Sequence, residues 1–380
     1  MPTPDHDLVP TPPGRYYTSE EVFEKESTHL FGRSWMCVGR TDSLDSPGKF
    51  QVSQVGRENL LIVRGKDLRL RAFHNMCRHR GARLCVDTSG ALGKSIRCMY
   101  HGWVYGLDGR LTSAPNMADM PGMAKDEYGL LPVRLEEWLG YAWVNLDEFA
   151  PSLGSQVEPQ VQARLGDIAK LDRYGLDRLG CAKTIRYDVE CNWKIFVENL
   201  MECYHCAPLH PQLIAVIPQF ATGYGTISSR PGAGVEFAEG AGYSLSGTVR
   251  RPRLPGLTPA DSQLHAVVIR PNVFLVLAPD HVAVYRLEPV SAGRTTVFVD
   301  SLFDPAQLHR TDADLDNTVE LRDITVRQDV EACERCQLGM RSAAYQGVLV
   351  PAEHAIVDFY RYVYGAVGEP VPDAYREGAG

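Results

Sequence analysis

The chain has 380 residues, 44% of them hydrophobic and 23% charged, the makeup of a globular protein long enough for two domains. Its formal net charge of −8 argues against a nucleic-acid partner, which would want a basic face. No run approaches the roughly 18 apolar residues of a membrane span, and ten cysteines without an apolar leader point to the cytoplasm and reduced thiols.

The first dozen residues, rich in Pro, Thr and Asp, read as an arm. Thr18-Ser19-Glu20-Glu21 resembles a capping box and opens a helix through about Phe31. From Gly48 to about Leu146 the pattern alternates like strands (QVSQV, NLLIV, LRLRAF, WVYGL, YAWVNL), with turns at Gly65-Lys66-Asp67 and Asp108-Gly109. A helix-leaning connection covers 150–177, AKTIRYDVE reads as a strand, and CNWKIFVENLMECYHC as one helix. Residues 213–262 carry no firm pattern. Consecutive antiparallel strands follow over 265–303, then a long charged helix over 312–340 and a last helix near 351–364. The expected organisation is an arm and helix over 1–40, an all-β domain over 41–148 and an α+β domain over 149–380.

Two Cys–His pairs stand on loops of the β domain: Cys77-x-His79, eighteen intervening residues, then Cys98-x-x-His101. Two thiolates and two imidazoles suit a structural zinc or a mixed-ligand iron–sulfur cluster. Each loop supplies one Cys and one His, a symmetry that suits a binuclear centre in which one iron takes both cysteines and the other both histidines. CRHRGA followed by CMYHGW resembles the Rieske [2Fe–2S] signature of the ring-hydroxylating oxygenase family. Imidazole ligands make such a cluster less negative and raise its potential to roughly −150 to +300 mV. It carries one electron at a time, so the chain should also hold an acceptor.

NWKIFVENLMECYHCAPLHP, from Asn192 to Pro211, offers one. Glu198, Glu202 and His205 recur at i, i+4 and i+7 and would share a helix face. Pro208 forces a bend that could bring His210 beside His205. Two histidines and a distant carboxylate would form the facial triad of a mononuclear non-haem Fe(II) centre, with positions open for dioxygen. The segment resembles the oxygenase family's NWK…EN…YH-x4-H stretch. The resemblance assigns His205 and His210 as iron ligands. It assigns Glu202 as the acid that bridges to the Rieske domain of a neighbouring subunit, a position usually held by Asp in aromatic-ring oxygenases and by Glu in the quaternary ammonium branch. VRQDVEACERCQ resembles the family's C-terminal acidic segment and selects Asp329 as third ligand, with Glu334 as the later acid and Asp323 and Asp358 as alternatives. Asn192 and Asn199 are expected to tune the iron pocket.

Other readings stay open. Glu202-x-x-His205 and Glu26-x-x-His29 match the ligand motif of di-iron bundles. Cys203-x-x-Cys206 and Cys333-x-x-Cys336 fit a four-cysteine zinc site, although buried, inert thiols are the commoner fate. His29, His74, His354 and Cys85 read as ordinary surface or core residues.

The resemblance spans residues 17 to 365 and implies a catalytic α subunit with a helix-grip-like second domain. It implies dioxygen as co-substrate, a flavin or iron–sulfur reductase fed by NAD(P)H, and a homotrimer. Electrons would pass from His101 through Glu202 to His205 of the adjacent subunit. ENLMECYHC is similar to glycine betaine and stachydrine demethylase-like members. That similarity implies oxidative N-demethylation, with Phe220, Tyr224, Phe237, Tyr243, Phe274 and Tyr285 as candidates for an aromatic cage. Hydroxylation of an aromatic ring or specialised metabolite is the rival. A Rieske electron carrier or zinc-stabilised module without catalysis is the reading of another class.

Overall fold

Strand alternation in the N-terminal third becomes two antiparallel sheets. The structure, a computed structural model, describes residues 8–115, 124–223, 231–249, 251–311 and 314–376. It divides into two units, Phe31–Leu153 and the remainder.

In the first unit a seven-stranded sheet runs in the order Met36–Arg40, Tyr141–Asn145, Pro132–Trp138, Leu70–His74, Glu58–Arg64, Lys49–Val55, Ser89–Ala91. A three-stranded sheet joins Ser95–Arg97, Val104–Gly106 and Leu111–Ser113. Phe50, Leu61, Val63, Phe73, Ile96, Trp103 and Tyr105 pack with Cys77, Cys85 and Cys98 into one core. The reading of Cys85 as a packing residue holds. His74 Nδ1 pairs with Glu58 Oε2 at 2.8 Å.

The second unit is built on a five-stranded antiparallel sheet in the order Gly180–Val189, Arg294–Phe303, His281–Ser291, Val273–Ala278, His265–Ile269. VFLVLA over 273–278 is buried at every residue, as an interior strand covered on both faces must be. The long helix Leu315–Met340 buries a stripe of Thr318, Arg322, Thr325, Asp329, Cys333 and Gln337, the i, i+3/i+4, i+7 spacing of one helix face. That stripe is largely polar, so hydropathy alone marks the helix as charged and gives no sign of what the face does.

Near the N-terminus, Ser19 caps Glu20–Lys25 by accepting from Val22 N, and Glu26–Phe31 continues as π-helix. Glu26 is fully buried and holds Lys194 Nζ at 2.6 Å and Trp193 Nε1 at 2.8 Å, while His29 is exposed. Glu26-x-x-His29 is therefore a structural ion-pair site, and the di-iron reading fails.

The expectation of one helix from 191 to 206 also needs correction. The helix covers Trp193–Met201 and stops at Glu202, whose backbone is extended at φ −134°, ψ 172°. A short helix, Cys206–Leu209, and another, Pro211–Val216, follow. Pro208 lies inside the first of these. The turns that reposition the chain fall instead at Glu202 and at His210, which has φ −120°, ψ 62°. Glu198, Glu202 and His205 thus do not share an unbroken helix face. Asn192 caps the helix: its side chain accepts from Lys194 N at 3.0 Å and donates to Ala292 O at 2.7 Å. It does not line the cavity described below, contrary to the expectation that it tunes the pocket.

Candidate active site

In the first unit, the Cys77 and Cys98 loops are built alike. Gly81 N donates to Cys77 O at 2.9 Å and Gly102 N to Cys98 O at 3.1 Å, each glycine at φ 72°. Both signatures carry glycine four residues after the cysteine because each loop closes through a left-handed turn there. The result separates the donors by chemistry. Cys77 and Cys98 are buried, and Cys77 Sγ lies 3.1 Å from Tyr105 Oη. His79 and His101 are exposed, with ring centroids 4.6 Å apart, and Trp103 stacks on His79 at 5.1 Å. A two-iron cluster needs such a split, thiolates on the inner iron and imidazoles on the outer one.

In the second unit, the break after Met201 turns His205 and His210 toward the long helix. Their rings stand 5.2 Å apart and nearly perpendicular. Asp329 Oδ1 is 2.9 Å from His210 Nε2 and 3.4 Å from His205 Nε2. Donor atoms bound side by side to one ion at about 2.1 Å stand about 3 Å apart, so these three suit a single metal. The far nitrogens are tied back: His205 Nδ1 to Glu202 and His210 Nδ1 to Gln328 Oε1 at 2.8 Å. Those bonds orient each ring and leave Nε2 for a metal.

The electrostatics agree. Burial pushes the His205 imidazole down, but its bonds to Asp329 and Glu202 outweigh that and raise its pKa to about 10. The cluster thus demands positive charge, and a divalent cation supplies it where a proton otherwise must. Asn199 Nδ2 sits 3.4 Å from His205 Nε2, and its buried Oδ1 has no partner among the described residues, an orphaned acceptor beside the candidate donors.

Asp323 and Asp358 are occupied elsewhere. Asp323 takes Tyr187 Oη at 2.6 Å and Arg327 Nε at 2.9 Å, and Asp358 pairs with Arg361. Glu334 accepts from Glu190 N at 3.0 Å. Cys203 and Cys206 are disulfide-bonded, their Cα atoms 4.9 Å apart across the turn that follows the helix end, a spacing within disulfide reach. This corrects the expectation of free thiols there and removes the four-cysteine zinc site. Cys206 Sγ is also near His205 Nε2, at 3.8 Å, but its bond to Cys203 takes away the thiolate a metal would need.

The triad opens into a cavity that is partly open to solvent. Phe220, Tyr243, Phe274 and Tyr285 line it. Phe274 and Tyr285 face each other across paired strands, ring centroids 5.4 Å apart. Phe237 is not among the lining residues, and Tyr224 lies outside the described residues. Sequence reasoning missed Arg322 and Thr325, which also line the cavity. Their spacing of seven and four residues before Asp329 was the available signal.

Known proteins agree with this architecture. The Rieske [2Fe–2S] domain family matches residues 34–127, and the catalytic domain of ring-hydroxylating α subunits matches residues 176–369. The chain belongs to the Rieske ring-hydroxylating oxygenase α-subunit family. The carnitine monooxygenase oxygenase subunit of Acinetobacter pittii is 31% identical, over 90% of this chain and 88% of that protein. The glycine betaine monooxygenase oxygenase subunit of Pseudomonas aeruginosa is 28% identical, over 90% and 84%. A crystal structure of a quaternary ammonium Rieske monooxygenase in complex with L-carnitine has a TM-score of 0.73 and 28% identity, over 95% and 97%. As a Rieske non-haem iron oxygenase, the protein uses a [2Fe–2S] cluster, a mononuclear iron and dioxygen, and depends on a reductase partner and a small-molecule substrate. The carrier and zinc-module readings are thereby set aside.

Proposed function

We propose that this oxygenase removes an N-methyl group from a quaternary ammonium compound. The observation that carries the proposal is a two-histidine, one-carboxylate cluster opening into an aromatic-walled cavity. The similarity to oxygenase subunits of carnitine and glycine betaine monooxygenases supports it. In this reading Cys77, His79, Cys98 and His101 hold the [2Fe–2S] cluster, and His205, His210 and Asp329 hold the iron. When bound, these groups supply the one-electron steps that activate dioxygen. The residues do the rest. Glu202 and Gln328 hold the ligand rings in place through Nδ1. Phe220, Phe274 and Tyr285 shape an apolar wall that keeps water from the reacting carbon and offers ring faces to a cation. Oxidation of an N-methyl carbon gives an N-hydroxymethyl product, which releases formaldehyde.

Glu202 also serves as the bridge to His101 of an adjacent subunit. The exposed position of His101 suits that role, and so does inter-subunit electron transfer described for a related quaternary ammonium monooxygenase. The assembly is a homotrimer. In this reading its reductase carries flavin and an iron–sulfur centre and draws on NAD(P)H, and the system works in the cytoplasm.

The test supplies the reconstituted protein and a competent reductase with a panel of N-methylated compounds and measures formaldehyde. Formaldehyde stoichiometric with consumed substrate is expected. Ring-hydroxylated products from an aromatic panel, with no formaldehyde from any N-methyl compound, would move the assignment to the rival reading.

A further inference from the structure

Arg322 stands in the cavity wall with its charge unanswered. It is 2% exposed and lines the same cavity as the iron cluster, two helical turns from Asp329 on the buried stripe. A guanidinium has five N–H donors. Nη2 donates to His281 Nε2 at 2.8 Å, Nη1 reaches Tyr285 Oη at 3.4 Å, and Nε has no partner among the described residues. No described carboxylate forms an ion pair with it. The ring of Tyr243 lies over the guanidinium, its centroid 4.5 Å from Cζ.

The surrounding groups do not balance it. His281 is fully buried, and burial, opposed by Asp280, leaves its imidazole at a pKa of about 4, hence neutral near pH 7. Asp280 is the nearby acid, but it pairs with Arg251 Nη2 at 2.5 Å and accepts from His281 Nδ1 at 3.0 Å. Arg322, Arg251, Asp280 and His281 together carry one net positive charge, and Asp329, the acid in the same cavity wall, is taken by His205 and His210. A buried charge without a counter-charge is costly, and a guanidinium's fork matches a carboxylate. Such a wall also repels a plain cation.

We propose that Arg322 anchors a carboxylate of the substrate, so that the enzyme takes molecules bearing a carboxylate at the end remote from the oxidised carbon and discriminates against simple cations. The inference rests on the reading of this cavity as the substrate site. It narrows the quaternary ammonium class to zwitterions. With Tyr243 and the Tyr285 hydroxyl engaged by Arg322, Phe220, Phe274 and the ring of Tyr285 remain for the ammonium end.

The test uses the metal-loaded holoenzyme under anaerobic conditions and measures binding by calorimetry. The probes are glycine betaine and γ-butyrobetaine, their methyl esters, and the carbon isosteres in which tert-butyl replaces trimethylammonium. Wild type should bind the carboxylates better than the esters. Arg322→Gln should weaken carboxylate binding by about 30- to 100-fold while changing ester binding by less than about threefold, and Arg322→Lys should fall between. A purely structural role would weaken acids and esters alike and leave their ratio unchanged. That result, or no carboxylate binding to wild type, overturns the proposal. Arg322-dependent binding of the isosteres without formaldehyde from any trimethylammonium compound keeps the anchor and removes the N-demethylation reading. Formaldehyde from the esters at equal rates in wild type and Arg322→Gln, with no preference for acids, does the reverse.

Discussion

Asp329 answers to two histidines from a segment more than a hundred positions away, and its carboxylate stays charged in a buried place. Burial pushes its pKa up, but the bonds from His205 and His210 prevail and hold it below the usual carboxylate range. Asp329→Ala should therefore remove the mononuclear iron and spare the cluster: metal analysis should fall from about three irons per chain to about two, with the reduced Rieske resonance intact. Loss of both signals would show that Asp329 serves the fold. A second buried acid behaves in the opposite way. Glu198, bonded to Tyr17 Oη at 2.9 Å, is pushed up to about 8, chiefly by burial. Folding then takes up a proton between about pH 4.5 and 8, so this residue's contribution to stability declines as pH rises across that window. Glu198→Gln should flatten the thermal midpoint over the same range. An unchanged slope would mean that other groups set it.

At the scale of elements, the Asn192-Trp193-Lys194 run begins the helix that leads to His205 and His210, and each of its residues is tied to another part of the unit. Asn192 caps the helix and donates its backbone N–H to Gln337 Oε1 at 2.7 Å, while Trp193 and Lys194 converge on Glu26. The Glu26–Lys194 pair is buried on both sides. Removing one partner strands the other: Glu26→Ala should cost about 3–5 kcal/mol in denaturant unfolding, whereas Glu26→Leu with Lys194→Met should recover most of that loss. Equal losses in the single and double variants would show that the pair's contribution is packing, not charge. The helix must stop at Glu202 for His205 and His210 to meet Asp329. This stop was not legible as such, because ENLMECYHC has good helix propensity and the break is enforced by what the histidines and Glu202 contact.

For the whole molecule, the proposed path runs from the cluster of one subunit to the iron of the next. His101→Ala and Asp329→Ala should each be inactive as homo-oligomers, yet mixed assemblies should recover about a quarter of wild-type activity, the share of random junctions that join an intact cluster to an intact iron site. No recovery after verified subunit exchange would place electron transfer within one chain.

Much of this was written locally. Cys77, His79, Cys98 and His101, each loop's glycine, and the strand pattern around them are short-range features. Turn chemistry and donor type reside in a few adjacent residues, so the cluster motif and the all-β unit could be read directly. His205 and His210 were singled out by a short-range resemblance, although the turn that brings them together falls at Glu202 and His210 and not at Pro208. What needed the tertiary structure was everything set by residues far apart in the chain. Asp323, Asp329 and Asp358 are the same residue type in helical sequence; a short resemblance favoured Asp329, and packing is what brings it to the histidines. Glu26 resembles a metal ligand until Lys194 arrives beside it. Arg322 is an unremarkable charge on a charged helix until the sheet brings His281 and Tyr285 to its side and the segment before the sheet adds Tyr243, with no ion-paired carboxylate among the described residues. Helix periodicity says which residues share a face; the sheet that covers the face decides what that charge means.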